Sequence, residues 1–167
     1  MEKIRILVTG ASGYLGTGVV KQLCDDGNEV IAACHSASNL IDCRATVRVG
    51  DIFSYDNPYE ELGKPEILLH MAWRNGFVHN DPSHIEDLPK HFEFIKKMAE
   101  SGVNQIAVIG SMHEVGFFEG SIKEDTPTHP ESLYGISKDA LRNLTKLVCK
   151  NKNVIFQWLR GYYIVGN

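Results

Sequence analysis

Hydrophobic positions along the chain switch between a period near two and a period near three and a half, and each switch is marked by glycine, proline or acidic residues. The run Lys3-Ile-Arg-Ile-Leu-Val-Thr9 predicts a buried strand, and Gly10-Ala-Ser-Gly13-Tyr-Leu-Gly16 a tight turn. Thr17–Cys24 then carries apolar residues at helical spacing, stopped by Asp25-Asp-Gly-Asn28. Glu29–His35 predicts a second strand, Leu40–Ala45 a short irregular helix, and Thr46–Val49 a third strand closed by Gly50-Asp51. Tyr55–Leu62 predicts one or two helical turns, ended by Gly63-Lys-Pro65, and Glu66–Ala72 a fourth strand. Ile85, Leu88, Phe92, Ile95, Met98 and Ala99 keep helical spacing from Ser83 to a capping Gly102. Val103–Ile109 predicts a fifth strand leading to Gly110-Ser111, Leu133–Cys149 a long helix, and Asn153–Leu159 a sixth strand. The connection Met112–Pro130 is long for a compact domain, which points to a functional segment.

Strands separated by helices predict an α/β fold: a doubly wound parallel sheet of the Rossmann type, six strands with helices on both faces. Such sheets bind ligands at the carboxyl ends of their strands. Gly10, His35, Asp51, Ala72 and Ser111 each follow a predicted strand. The glycine turn opens a helix, so unpaired amides and the positive end of the helix dipole face one spot, which is the makeup of an anion site.

Composition narrows the classes. Seventeen basic against 21 acidic residues leave a net charge of −4, which argues against a nucleic-acid surface. No apolar run approaches the roughly 18 residues of a membrane span, and the first apolar run predicts a strand rather than a signal peptide. Cys24, Cys34, Cys43 and Cys149 form no C-x-x-C pair; free thiols in a cytoplasmic protein are expected. His70, His79, His84 and His91 show no ligand spacing with carboxylates or cysteines, so no metal is expected and the rings are read as satisfied or exposed.

Tyr134 and Lys138 stand four apart at the start of the long helix and share a face. An ammonium beside a phenol favours the phenolate and makes it a better acid–base group at neutral pH. Taken in order, Thr9-Gly10-Ala-Ser-Gly13-Tyr-Leu-Gly16, Gly50-Asp51-Ile52, His70-Met-Ala72-Trp73 and Tyr134-Gly-Ile-Ser-Lys138 resemble the short-chain dehydrogenase/reductases. The branch resembled is the extended, NAD(P)-dependent nucleotide-sugar epimerase/dehydratase one. Glu124–Tyr134 is similar to that branch's acidic, proline-bearing lead-in to the tyrosine, and Arg160–Gly166 to its segment over the nicotinamide.

The resemblance implies a nicotinamide-dependent enzyme of oxidoreductase type acting on a nucleotide-diphosphate sugar as a 4-keto reductase, epimerase or dehydratase. It places Gly10, Gly13 and Gly16 around the pyrophosphate, with Tyr14 and Leu15 presenting amides. Asp51 and Ile52 border adenine, and Ala72 and Trp73 line the ribose. Tyr134 is the general acid–base, and Lys138 lowers its pKa and holds the nicotinamide ribose. Ser111 or a neighbour bonds the substrate oxygen.

Met112 stands where the family carries a second hydroxyl, so Ser111 or His113 has to serve, or the step is lost. Glu114 aligns with a glutamate some relatives use, with a solvated loop carboxylate as the other reading. His35 stands where NADP-preferring relatives carry a basic residue, which favours NADP over NAD. Tyr162-Tyr163 is read as core or cofactor lid. The helices at Ser83–Ser101 and Leu133–Lys150 carry surplus apolar positions of the kind that pair in a homodimer. Two other classes stay open: a non-catalytic dinucleotide-binding protein, and another Rossmann enzyme such as a methyltransferase. Residues 1–167 are expected to form the NAD(P)-binding domain, with the substrate-binding C-terminal portion absent from this chain.

Overall fold

The computed structural model describes residues 3–164. Among them six strands form one sheet: β1 Arg5–Thr9, β2 Glu29–Cys34, β3 Thr46–Val49, β4 Ile67–His70, β5 Gln105–Ser111 and β6 Ile155–Gly161. Every neighbouring pair is parallel, in the order β3-β2-β1-β4-β5-β6. The strand order reverses between β1 and β4, and the carboxyl ends of those two strands flank the crevice this reversal creates.

Period-two side-chain alternation divides the core into two layers. Leu7, Ile31, Ala33, Leu68, Ile106 and Val108 pack against Phe94, Ile95 and Met98 of α3 (Ser83–Ser101) and Leu141 and Cys149 of α4 (Leu133–Lys152). On the opposite face Ile6, Val8, Val30, Ala32 and Cys34 pack against Val20 and Cys24 of α1 (Tyr14–Asp25), with Ile41 and Ala45 beside them. The predicted doubly wound sheet is therefore present. Fully burying each Leu or Ile in these layers contributes about 1.5–3 kcal/mol, which outweighs the local preference of any single turn. At the far edge β6 is covered on one face only: Phe156, Trp158 and Arg160 are half-buried, whereas Ile155, Gln157 and Leu159 are exposed.

Several boundaries differ from the sequence expectation for local reasons. Helix α1 begins at Tyr14, three residues early, because Gly13 caps it in extended conformation. Leu40–Ala45 is not a helix: Asp42 accepts the backbone N–H and the guanidinium of Arg44, and the Ala45 N–H closes a turn on the Asp42 carbonyl. A side chain that satisfies the backbone this way competes with helix formation. The expected helix at Tyr55–Leu62 shrinks to α2, Pro58–Glu61, with the Asn57 side chain accepting the Glu60 N–H. Asn153 belongs to the end of α4, where it takes the left-handed conformation (φ 55°), and β6 starts two residues later. All four cysteines are free thiols, with Cys43 alone exposed. No helix among the described residues is long and apolar enough to cross a membrane.

Candidate active site

The glycine turn is shaped by backbone. Gly10 has φ +68°, and a Cβ there would lie 2.8 Å from the Ala72 nitrogen, so the turn rests directly on the chain leaving β4. A Cβ at Gly16 would overlap the Gly10 carbonyl, so the first turn of α1 can sit this close only without a side chain. Gly13 N–H donates to the Gly10 carbonyl (3.0 Å), and the bond from Thr17 N–H to the Gly13 carbonyl (3.1 Å) opens the helix. The amides of Leu15 and Gly16 precede that bond, at the positive end of the helix dipole. A Cβ at Gly13 would meet only the Gly10 oxygen, at 3.3 Å, so its outer side is open. A bare-backbone cradle with amides at a helix N-terminus fits a pyrophosphate.

Neighbouring strand ends extend the cradle. Gly50 N–H donates to the Cys34 carbonyl (3.0 Å), which sets exposed His35 and exposed Asp51 side by side at the ends of β2 and β3. The Asp51 carboxylate accepts the Phe53 N–H (2.9 Å), while the Ile52 side chain is buried in the α3-side core. The backbone of that pair and the second, unengaged oxygen of exposed Asp51 are left for a ligand edge.

The second part of the site is a ring-lined corner at the end of β5. Ser132 caps α4 by accepting the Gly135 N–H (3.1 Å), which fixes Tyr134 in the first turn. Around its ring stand Trp73 (6.1 Å), His79 (5.9 Å), His84 (5.2 Å) and His113 (5.8 Å between centroids). The Ser111 hydroxyl stands near enough to the phenol to favour its ionised form, and accepts the His113 N–H at 3.2 Å. One turn on, Lys138 is buried; its Nζ donates to the Ile109 carbonyl (2.8 Å) and sits 4.0 Å from the centre of the Trp73 ring. Ser111, Trp73, Tyr134 and Lys138 are thus brought together.

The electrostatics differ from the expectation for this pair. Burial raises the Tyr134 pKa; the nearby Ser111 hydroxyl lowers it, and the Glu114 charge raises it again. Burial pushes Lys138 down to about 7, with Glu114 pulling the other way. The expected lowering of the phenol by Lys138 is absent because the Lys138 ammonium is aimed at Ile109 and Trp73, 5.9 Å from the centre of the Tyr134 ring. Desolvation dominates both groups.

Beneath this corner runs a buried chain of hydrogen bonds. Thr9 Oγ1 accepts the N–H groups of Met71 (3.1 Å) and Ala72 (3.2 Å), which uses both lone pairs. Its hydrogen therefore goes to His70 Nδ1 (2.8 Å), so His70 carries its proton on Nε2 and donates it to His91 Nδ1 (2.8 Å). Burial, reinforced by the His91 and Lys138 charges, lowers the His70 pKa; burial and the Lys138 charge push His91 down to about 3. The His91 ring stacks on Trp73 at 4.4 Å and 15°, and Trp73 Nε1 donates to His84 Nδ1 (3.0 Å). The indole under Lys138 is thereby locked from two sides.

Glu114 is neither solvated nor aimed at the corner. It is fully buried, accepts the Ser111 N–H, and takes Trp158 Nε1 (2.8 Å) and Arg160 Nε (3.2 Å) from β6. Together with Ser111 it makes the capping box of the 3-10 turn Met112–Glu114. The expectation for Tyr162-Tyr163 also changes: both are exposed, Tyr163 at 88%. Val165 and Gly166 of the predicted cofactor segment lie outside the described residues. Sequence reasoning did not assign His79, His84 or His91 to the site. The only sequence signal for them is the run of histidines His79, His84 and His91 through the loop after β4 and the first half of α3.

The chain belongs to the NAD dependent epimerase/dehydratase family, whose model matches residues 6–167. This defines the class, and it removes the methyltransferase alternative. Among individual relatives, the dTDP-6-deoxy-L-talose 4-dehydrogenase (NAD(+)) of Aggregatibacter actinomycetemcomitans is 40% identical over 169 residues, covering 98% of this chain and 63% of its own length. In fold the chain is similar to UDP-glucose 4-epimerase of Thermotoga maritima, with TM-score 0.81 at 21% identity, covering 94% of this chain and 55% of the other. It is also similar to UDP-glucuronic acid 4-epimerase of Bacillus cereus in complex with NAD, with TM-score 0.77 at 20% identity and coverage of 94% and 56%. The chain thus spans between half and two thirds of the length of these relatives.

Proposed function

We propose that this chain is the dinucleotide-binding and acid–base part of an enzyme that interconverts a hydroxyl and a ketone at carbon 4 of a nucleotide-diphosphate 6-deoxy sugar. The observation that carries the proposal is the convergence of Ser111, Tyr134 and Lys138 at the end of β5, across from a side-chain-free anion cradle at the end of β1. The 40% identical relative named as a dTDP-6-deoxy-L-talose 4-dehydrogenase supports the choice of sugar and of a dehydrogenase or reductase over an epimerase or dehydratase.

Gly10, Gly13 and Gly16 with the amides of the first turn of α1 would hold the pyrophosphate, and the backbone at Asp51–Ile52 the adenine edge. Ala72, Trp73 and Lys138 would hold the nicotinamide ribose. NAD is the favoured form: His35 is exposed at the end of β2 but offers no guanidinium to a 2′-phosphate, and the relative's name specifies NAD(+). When bound, the nicotinamide supplies the hydride acceptor or donor. Tyr134 takes the proton of the sugar hydroxyl at its phenolic oxygen in oxidation and returns it in reduction. Ser111, near that phenolic oxygen, favours its ionised form. Lys138 supplies a positive field when protonated, and its pKa near 7 makes that field sensitive to what covers it.

Exposed Ile85 on α3 and Ile136, Leu144 and Leu147 on α4 give this reading a homodimer, which light scattering showing a monomer would contradict. The test of function is titration of the complete protein with NAD+ and NADP+, followed by dTDP-6-deoxy-L-talose. Tighter binding of NAD+ and formation of NADH with the sugar are expected. Binding of NAD+ without NADH formation from this or related nucleotide sugars would favour a non-catalytic member instead, a reading for which Met112 is the supporting feature.

A further inference from the structure

Met112 carries no hydrogen-bond donor, and two imidazoles stand beside it. His113, from the 3-10 turn after β5, and His79, from the loop after β4, bring their rings to 4.0 Å between centroids at a 52° tilt. Both lean on the catalytic phenol: His79 is stacked on Tyr134 at 5.9 Å and 16°, and His113 stands edge-on at 5.8 Å and 67°. The backbone holds this arrangement. Tyr134 N–H donates to the His79 carbonyl (2.9 Å), and Leu133 N–H to the Asn80 side chain (3.2 Å). Gly135 lets the His113 carbonyl come so close to α4 that a Cβ would overlap it.

The two rings differ from their neighbour His84 in one respect. Both nitrogens of His84 are used, Nδ1 by Trp73 and Nε2 by the Val78 carbonyl (3.0 Å). Among the described residues, no hydrogen bond engages a ring nitrogen of His79 or His113, and both side chains are only half-buried. Burial and the neighbouring His79 lower the His113 pKa, which keeps that ring neutral at pH 7. A neutral imidazole has one donor and one acceptor nitrogen. Three segments that are far apart in sequence have therefore been packed to place two imidazoles with unengaged ring nitrogens against the Tyr134 ring.

The geometry points to His79 and His113 as a substrate-contacting pair that hydrogen-bonds the reacting sugar's oxygens next to Tyr134. This rests on the nucleotide-sugar reading above. One ring donates to the oxygen whose proton Tyr134 handles, where donors aimed at developing charge accelerate reaction most. The other binds the adjacent hydroxyl and so reads the configuration of the sugar.

The test uses the complete protein with NAD+, dTDP-6-deoxy-L-talose and, as a sugar-free control, dTDP. His79→Phe and His113→Phe keep an aromatic ring and remove the nitrogens. His113→Gln keeps a donor without the ring and guards against a packing defect. For His113→Phe, kcat is expected to fall about a hundredfold, the size of losing one aimed donor, with NAD+ affinity unchanged and partial recovery in His113→Gln. In a separate binding arm, the wild type prefers dTDP-6-deoxy-L-talose over dTDP, and the double Phe variant loses that preference while dTDP affinity stays. Turnover that persists within about twofold in both Phe variants overturns the pair while leaving the function reading intact. No turnover in the wild type, with a sugar preference that disappears in the double variant, overturns the reaction and keeps the pair. A wild type that binds the sugar nucleotide no better than dTDP overturns the pair outright.

Discussion

The two halves of the site are made from different materials. The glycine cradle is backbone: its shape comes from one continuous stretch, Gly10–Gly16, pressed against Ala72. The Tyr134 corner is side chains from the β4 loop, α3, the 3-10 turn and α4, tied to β6 through Glu114. A backbone site tolerates no added atom where chain packs on chain, as at Gly10 and Gly16, but depends on few partners. A side-chain site tolerates substitution one ring at a time but depends on every element holding its place.

The largest effect that would test this contrast is at Gly16. Its missing Cβ faces the fixed backbone of Gly10 and Ala11, so Gly16→Ala is expected to cost about 3 kcal/mol, measured by urea unfolding. An unchanged midpoint would show that the turn can yield and that the cradle is not rigid.

On the side-chain half the largest effect falls at Glu114. Glu114→Ala removes the partner of half-buried Arg160 and the acceptor of Ser111 N–H and Trp158, and is expected to cost about 3 kcal/mol, again by urea unfolding. A loss below about 1 kcal/mol would place the carboxylate in water rather than in the core.

Next comes the buried histidine chain. His70 and His91 are neutral in the folded protein and regain ordinary pKa values near 6.5 when unfolded. The unfolded state then binds more protons, so stability rises with pH through the window from about 3 to 6.5 and is lost as pH falls. His91 contributes about 1 kcal/mol per pH unit there, and His70 adds to the slope with the same sign. His91→Phe should flatten that slope. Lys138, depressed to about 7 from 10.5, adds a second rise between those values with the same sign. Trp73→Ala, by letting water reach the ammonium, should reduce that second rise. A slope that survives in the Trp73 variant would mean that the indole does not shield Lys138.

The smallest effect returns to the cradle. Gly13→Ala meets only one oxygen at 3.3 Å and should change stability by less than about 1 kcal/mol while weakening NAD+ binding, as read by titration calorimetry. Gly13 and Gly16 thus separate the ligand-facing from the packing-facing glycine.

The same contrast explains what could be read from sequence. Gly10–Gly16, and Tyr134 with Lys138, are local patterns whose geometry follows from one turn and one helix, so both are legible in the sequence. Glu114 was not: its meaning depends on Trp158 and Arg160 in β6, more than 40 residues away. Nor was the indole under Lys138, since Trp73, His91 and Lys138 come from a loop and two helices that only tertiary packing unites. The electrostatic expectation failed for a related reason. Spacing shows that a lysine can approach a tyrosine but not that burial will dominate both.

The central claim is that Tyr134 moves the sugar hydroxyl proton, while the pyrophosphate of the dinucleotide is held apart from it by the glycine cradle. It is tested most directly by comparing wild type and Tyr134→Phe in the complete protein, following NADH formation from dTDP-6-deoxy-L-talose alongside NAD+ affinity. The expected result is a loss of kcat of about a hundredfold or more with NAD+ binding unchanged. Equal turnover in the two proteins, or a loss of NAD+ binding that accounts for the whole defect, would contradict it.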